Sequence, residues 1–126
     1  MRKISFDEAV AIHTMLCEKT GGDAGLRDEG LLRSALDMPF MCFGGNELYP
    51  DVYSKAARLC HSLVLNHAFV DGNKRIGMLL CLTFLKLNGA EIHPDVADVA
   101  NMGLAIARGD VTQEEILTWL LNNNLT

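Results

Sequence analysis

The chain has 126 residues, 49% of them hydrophobic and 21% charged, with 16 acidic against 11 basic side chains and a formal net charge of −5. That balance fits one globular domain, residues 1–126, with an ordinary apolar core, and it excludes a disulfide-stapled miniprotein. Excess acid also excludes sequence-independent binding to nucleic acid or an anionic membrane surface, each of which needs a clustered basic face.

The first helix is announced by Ser5 with Glu8 three residues on, a capping box, after which Ala9, Ile12, His13, Leu16 and Cys17 fall on one stripe until Gly21-Gly22 stops it. Asp28 caps a second, short helix carrying Leu31, Leu32, Ala35 and Leu36, which ends before Pro39. Residues 38–50, with Gly44-Gly45-Asn46 and Pro50, read as a long loop, and such loops in compact domains tend to be functional or mobile. Pro50 and Asp51 open a third helix, apolar at Ala56, Leu59, Cys60, Leu63 and Val64, that closes near His67. From Asn73 to Asn88 the chain is apolar nearly all round, so this fourth helix belongs at the centre of the fold, with Gly89 ending it. A fifth follows Pro94 and Asp95 and stops near Gly109, and Thr112 with Glu115 caps a sixth that runs through Trp119, read as a core residue. Strand signals are confined to a snippet around Glu91-Ile92-His93. The expected fold class is therefore all-α, a compact bundle of about six helices around the central buried helix that starts at Asn73.

No apolar run approaches the ~20 residues that cross a bilayer. Met1-Arg2-Lys3-Ile4 runs into Ser5-Phe6-Asp7-Glu8 without the apolar stretch of a secretory signal, so a cytoplasmic location is expected. Cys17, Cys42, Cys60 and Cys81 contain no Cys-x-x-Cys pair and read as reduced thiols in or near the core. His13, on an apolar stripe, and His93, before Pro94, read as structural, while His61 and His67 are spaced to face different ways and do not suggest a joint metal site.

The chemistry concentrates in His67-Ala68-Phe69-Val70-Asp71-Gly72-Asn73-Lys74-Arg75, which gathers a base, a carboxylate, a glycine turn, an amide and two cations at a helix–loop–helix junction. The first free N–H groups of the following helix, with its positive dipole end, attract phosphate. Gly72 lets the backbone come close to a ligand, Arg75 can grip phosphate oxygens with its planar fork, and Lys74 adds a compact charge. Two cations in a helix's first turn oppose its dipole by a few tenths of a kcal/mol each, a conflict that a bound anion removes. Asp71 offers the hard oxygen that holds Mg2+ together with substrate phosphates and water. His67 can take a proton from a hydroxyl near neutral pH, and Phe69 anchors the loop in the core.

The same stretch resembles the core motif of the Fic/Doc superfamily, and closely its death-on-curing (Doc) branch, whose pattern His-x-Phe-x-(Asp/Asn)-(Ala/Gly)-Asn-Lys-Arg is met at every fixed position. Thr20 to Asp28 followed by Gly30-Leu31-Leu32, Phe43 to Pro50, and Phe84-Leu85 through Asn88-Gly89 are similar to that family in order and spacing, so the resemblance covers most of the chain up to about residue 93. It implies an enzyme that modifies a hydroxyl of a target protein. Where relatives that transfer AMP carry a second glycine, this chain has Lys74. That substitution implies ATP in the reversed orientation and transfer of its γ-phosphoryl group. Carried over by position, His67 is the general base, Asp71 the Mg2+ ligand, and Gly72, Asn73, Lys74 and Arg75 the phosphate cradle. The implied role is the toxin of a toxin–antitoxin module, with elongation factor Tu as target and translation as the process blocked.

Ala68 stands where many Fic proteins carry proline, a position at which the Doc branch varies. The self-inhibitory pattern Ser/Thr-x-x-x-Glu-Gly/Asn finds only Thr14 to Glu18, followed by Lys19. The expected restraint is therefore a separate antitoxin whose disordered C-terminal segment folds into a groove, with Phe40, Phe43 and Tyr49 as candidate lining. Two other readings stay open at this point: AMP transfer on the same fold, and a catalytically silent module that binds an antitoxin.

Overall fold

The computed structural model describes residues 1–124. Six α-helices follow one another: α1 (Phe6–Thr20), α2 (Glu29–Asp37), α3 (Val52–Leu65), α4 (Asn73–Leu87), α5 (Val96–Arg108) and α6 (Gln113–Asn122). The local signals act where they were expected. Ser5 accepts from the Glu8 N–H while Glu8 reaches back to Ser5, and Thr112 with Glu115 repeats the arrangement. Asp28 caps α2 and Asp51 caps α3, while Gly109 ends α5 at φ 77°.

α4 is the central helix, burying Ile76, Gly77, Met78, Leu80, Cys81, Phe84 and Leu85. It shares the centre with α3, whose Cys60 and Val64 face it and which also touches α2, α5 and α6. The two helices come closest at Gly77, where a Cβ would lie 2.6 Å from Val64 Cγ2. α1 and α5 pack on α4, and Gly103 of α5 allows a similarly close approach to Met78. Trp119 is half-buried against the core.

Two expectations need correction. Residues 38–50 are not a plain loop, since Met38–Phe40 form a 3-10 turn and Cys42–Phe43 (β1) pairs antiparallel with Asn46–Glu47 (β2) across Gly44-Gly45. Strands of two residues are too short to show a period. The hairpin is tied down by Lys55 of α3, a buried lysine whose Nζ donates to the carbonyls of Pro39 (3.2 Å) and Tyr49 (2.6 Å) and to Glu47 Oε1 (2.8 Å). His93, read as structural, stands exposed with Nε2 3.3 Å from Glu91 Oε1, while Glu91–His93 forms no strand, in keeping with the all-α reading. Cys17, Cys60 and Cys81 are buried free thiols, but Cys42 sits on the hairpin surface.

Candidate functional site

α3 ends at Leu65, and the chain turns through Asn66 to His67, the one non-glycine residue among those described with a left-handed backbone, at φ 53°. That conformation is held rather than free. Arg27 Nε donates to the His67 carbonyl at 2.6 Å and its Nη2 to the Asn66 carbonyl at 3.3 Å, while Asn66 Nδ2 donates to the Leu31 carbonyl. The segment before α2 runs alongside: the Arg27 and Asp28 N–H groups donate to the Ala68 carbonyl, and the Val70 N–H donates to Gly25. An antiparallel bridge between Leu26 and Phe69 joins the two. Phe69 is buried, as expected of an anchor.

Past Phe69 the loop turns into α4. The Asp71 carbonyl accepts from His13 Nε2 at 2.8 Å, and the Asp71 carboxylate accepts from the Gly72 N–H at 2.8 Å. Gly72, at φ 76°, has no side chain with which to cap the helix, and the first backbone bond of α4 runs from Ile76 to Gly72. The N–H groups of Asn73, Lys74 and Arg75 are thus the leftover donors of the helix start. Lys74 and Arg75 are exposed and make no ion pair among the described residues, although Arg75 hydrogen-bonds Thr20 Oγ1 at the end of α1.

These residues surround one cavity of about 390 Å3, lined by His67, Val70, Asp71, Gly72, Asn73, Lys74 and Arg75 with Val64 and Ala107. Its size lies within the usual ~300–1,000 Å3 of small-ligand sites. All the motif positions expected to act are brought together, with one change of role. The Asn73 carboxamide is spent on the loop, accepting from the Phe69 N–H at 3.1 Å and donating to the Phe69 carbonyl at 3.0 Å. Asn73 therefore offers an anion its backbone N–H, while its side chain fixes Phe69. Sequence reading also missed Arg27, Thr20 and Gly22. Gly22 stands where a Cβ would lie 2.7 Å from Asp71 Oδ2 and 3.4 Å from Arg75 Nη2, so a glycine keeps the space around the carboxylate clear.

The donor set suits a magnesium–phosphate ligand. It offers one hard carboxylate beside free N–H groups and two cations, and no group of three or more His, Cys, Asp or Glu able to hold a metal by itself occurs among the described residues. Proteins commonly hold Mg2+ through one or two carboxylates, with substrate phosphates and water as the other ligands.

Beside the cavity and sharing Lys74 and Arg75 with it lies an apolar groove of about 590 Å3 between α1, α4 and α5, lined by Leu16, Met78, Leu79, Leu82, Val99 and Leu104 among others. None of Phe40, Phe43 and Tyr49 lines it. Phe40 packs edge-on against Phe84, and Phe43 stands exposed on the hairpin. No helix among the described residues is long and apolar enough to cross a membrane.

Comparison with known proteins gives one family match and two relatives. A sequence model described as Fic/DOC family matches residues 3–85, from α1 through most of α4. The chain is 44% identical over 75 residues to a protein named Toxin Doc from Mycolicibacterium smegmatis, a match covering 60% of this chain and 58% of that relative. It is 26% identical over 116 residues to a protein named Protein kinase doc from Escherichia phage P1, covering 92% of this chain and 90% of the phage protein.

Proposed function

The chain belongs to the Fic/DOC family, and from that premise we propose that it is the toxin of a toxin–antitoxin module, acting as an ATP- and Mg2+-dependent phosphotransferase on a protein Ser or Thr hydroxyl. The observation that carries this reading is the convergence of an exposed imidazole, a carboxylate, two unpaired cations and the free N–H groups of a helix start on one cavity. The names of the two relatives, one a toxin and one a protein kinase, agree with it.

In this reading the triphosphate of ATP lies against the start of α4, where the N–H groups of Asn73, Lys74 and Arg75 and the Arg75 guanidinium take its oxygens. Lys74, in the position the resemblance associates with the reversed nucleotide, neutralises the transferred group. Asp71 is the residue that would hold Mg2+, which when bound offsets phosphate charge. His67 takes the proton of the acceptor hydroxyl as that oxygen bonds to the γ-phosphorus. The bond from phosphorus to the β,γ-bridging oxygen breaks, and ADP leaves. Most of the rate gain comes from holding the groups in place and stabilising charge, the usual pattern for phosphoryl transfer.

The partner is an antitoxin whose C-terminal segment folds into the apolar groove, where it lies next to Lys74 and Arg75. The target is elongation factor Tu in the cytoplasm, and its modification blocks translation. The test is induction of the chain in cells, paired with transfer from γ-labelled ATP to purified elongation factor Tu. Growth arrest relieved by the antitoxin, with transfer lost in His67→Ala, is expected; full activity of His67→Ala refutes the general-base role.

A further inference from the structure

His13, in the middle of α1, is fully buried, and its ring lies flat on Phe69 with centroids 3.7 Å apart and an interplanar angle of 15°. Its Nε2 is 2.8 Å from the Asp71 carbonyl oxygen. A carbonyl oxygen can only accept, so Nε2 carries the proton and Nδ1 is left as an acceptor. Nδ1 is buried and has no partner. An unsatisfied buried nitrogen is destabilising, and a thioether or phenyl side chain would fill the space without it. What the imidazole adds is its donor on Asp71. The peptide bond between Asp71 and Gly72 is thereby held from its oxygen side, just as Asn73 holds Phe69 and the Gly25 carbonyl holds Val70.

We propose that His13 is a positioning residue of the phosphate site: by fixing the Asp71–Gly72 peptide it sets the direction of the Asp71 carboxylate and of the free N–H groups that open α4. The inference rests on the reading of Asp71 as the residue that faces metal and phosphate. It makes α1 part of the site from two sides, since Thr20 of the same helix holds Arg75.

Two variants separate positioning from packing. His13→Met keeps the volume and removes the donor, whereas the amide of His13→Gln can still donate to the carbonyl. Amide hydrogen exchange by NMR is followed at Gly72 and Asn73, with Leu80 and Phe84 as reporters of the core, and Mg2+–ATP binding is measured by titration. In His13→Met the core amides keep their protection, Gly72 and Asn73 exchange faster, and Mg2+–ATP affinity falls about ten- to a hundredfold, the usual scale for losing a partner behind a metal ligand. His13→Gln recovers most of both. Unchanged loop exchange and affinity in His13→Met overturn the proposal, and so does a His13→Gln variant as impaired as His13→Met, which is the pattern of lost packing. Should His13→Met not fold, the ring 15N spectrum of the unaltered protein decides: an Nε2–H tautomer supports the role and an Nδ1–H tautomer overturns it. Intact protein that binds no Mg2+–ATP would refute the phosphotransferase reading while the exchange data still decide the hold on Asp71.

Discussion

Arg27 donates through Nε to the carbonyl of His67 at 2.6 Å, across forty positions of sequence. The contact clamps the backbone of the proposed general base where its φ is 53°. Arg27→Ala should therefore leave the fold intact, lowering stability by about 0.5–1.5 kcal/mol because the side chain is exposed. Phosphoryl transfer should fall by about ten- to a hundredfold, the cost of a misplaced catalytic group. Steady-state kinetics check this, with the loss expected in kcat and the KM for ATP little changed.

Gly22 borders the Asp71 carboxylate at φ 108°, a backbone setting that favours glycine, and a Cβ there would lie 2.7 Å from Asp71 Oδ2. Gly22→Ala is expected to cost about 1–3 kcal/mol in thermal denaturation. It should also displace the carboxylate, so that Mg2+–ATP binding weakens more than binding of ATP without metal. Titration with and without Mg2+ measures the difference.

Lys55 anchors the 39–49 segment from a buried position. Glu47 is half-exposed and can return to water when the ammonium is removed, whereas the carbonyls of Pro39 and Tyr49 lose a charged donor. Lys55→Ala should destabilise the protein by about 2–4 kcal/mol. Limited proteolysis should then cut between Met41 and Leu48 before the helices unfold.

His61 on α3 has its pKa lowered from 6.5, first by burial and then by the positive charge of Arg58, with Glu114 of α6 acting the other way. The unfolded chain therefore holds the proton more tightly than the native one. The contribution of His61 to stability is fully present above pH 6.5 and is lost as pH falls through the interval below it. His61→Gln should flatten this part of the stability–pH profile, measured by denaturant melts at a series of pH values.

Much of the molecule was legible where the signal is local. Ser5 with Glu8, Thr112 with Glu115, and the caps Asp28 and Asp51 each satisfy helix N–H groups within three residues, so the sequence carries the whole interaction. The motif from His67 to Arg75 was legible because its residue types conflict with a core and with the dipole of the helix they open. What depends on distant chain was not. His13 could be read as structural, but its grip on Asp71 exists only because α1 crosses the loop before α4. Asn73 could have turned to phosphate or to backbone, and the proximity of Phe69 decided it. The place of an apolar groove was not legible because Leu16, Leu79 and Val99 look like core residues until the packing leaves their shared face uncovered. Aromatic content pointed instead to Phe40 and Phe43, one spent on the core and the other on the hairpin surface.

The central claim is that the start of α4 presents the terminal phosphoryl group of ATP to a protein hydroxyl near His67. The most direct measurement is the intact mass of elongation factor Tu after incubation with the chain, ATP and Mg2+, with the modified residue located by fragmentation. A gain of one phosphoryl group on a Ser or Thr is predicted, whereas a gain of one AMP, or no gain with active protein, would contradict it.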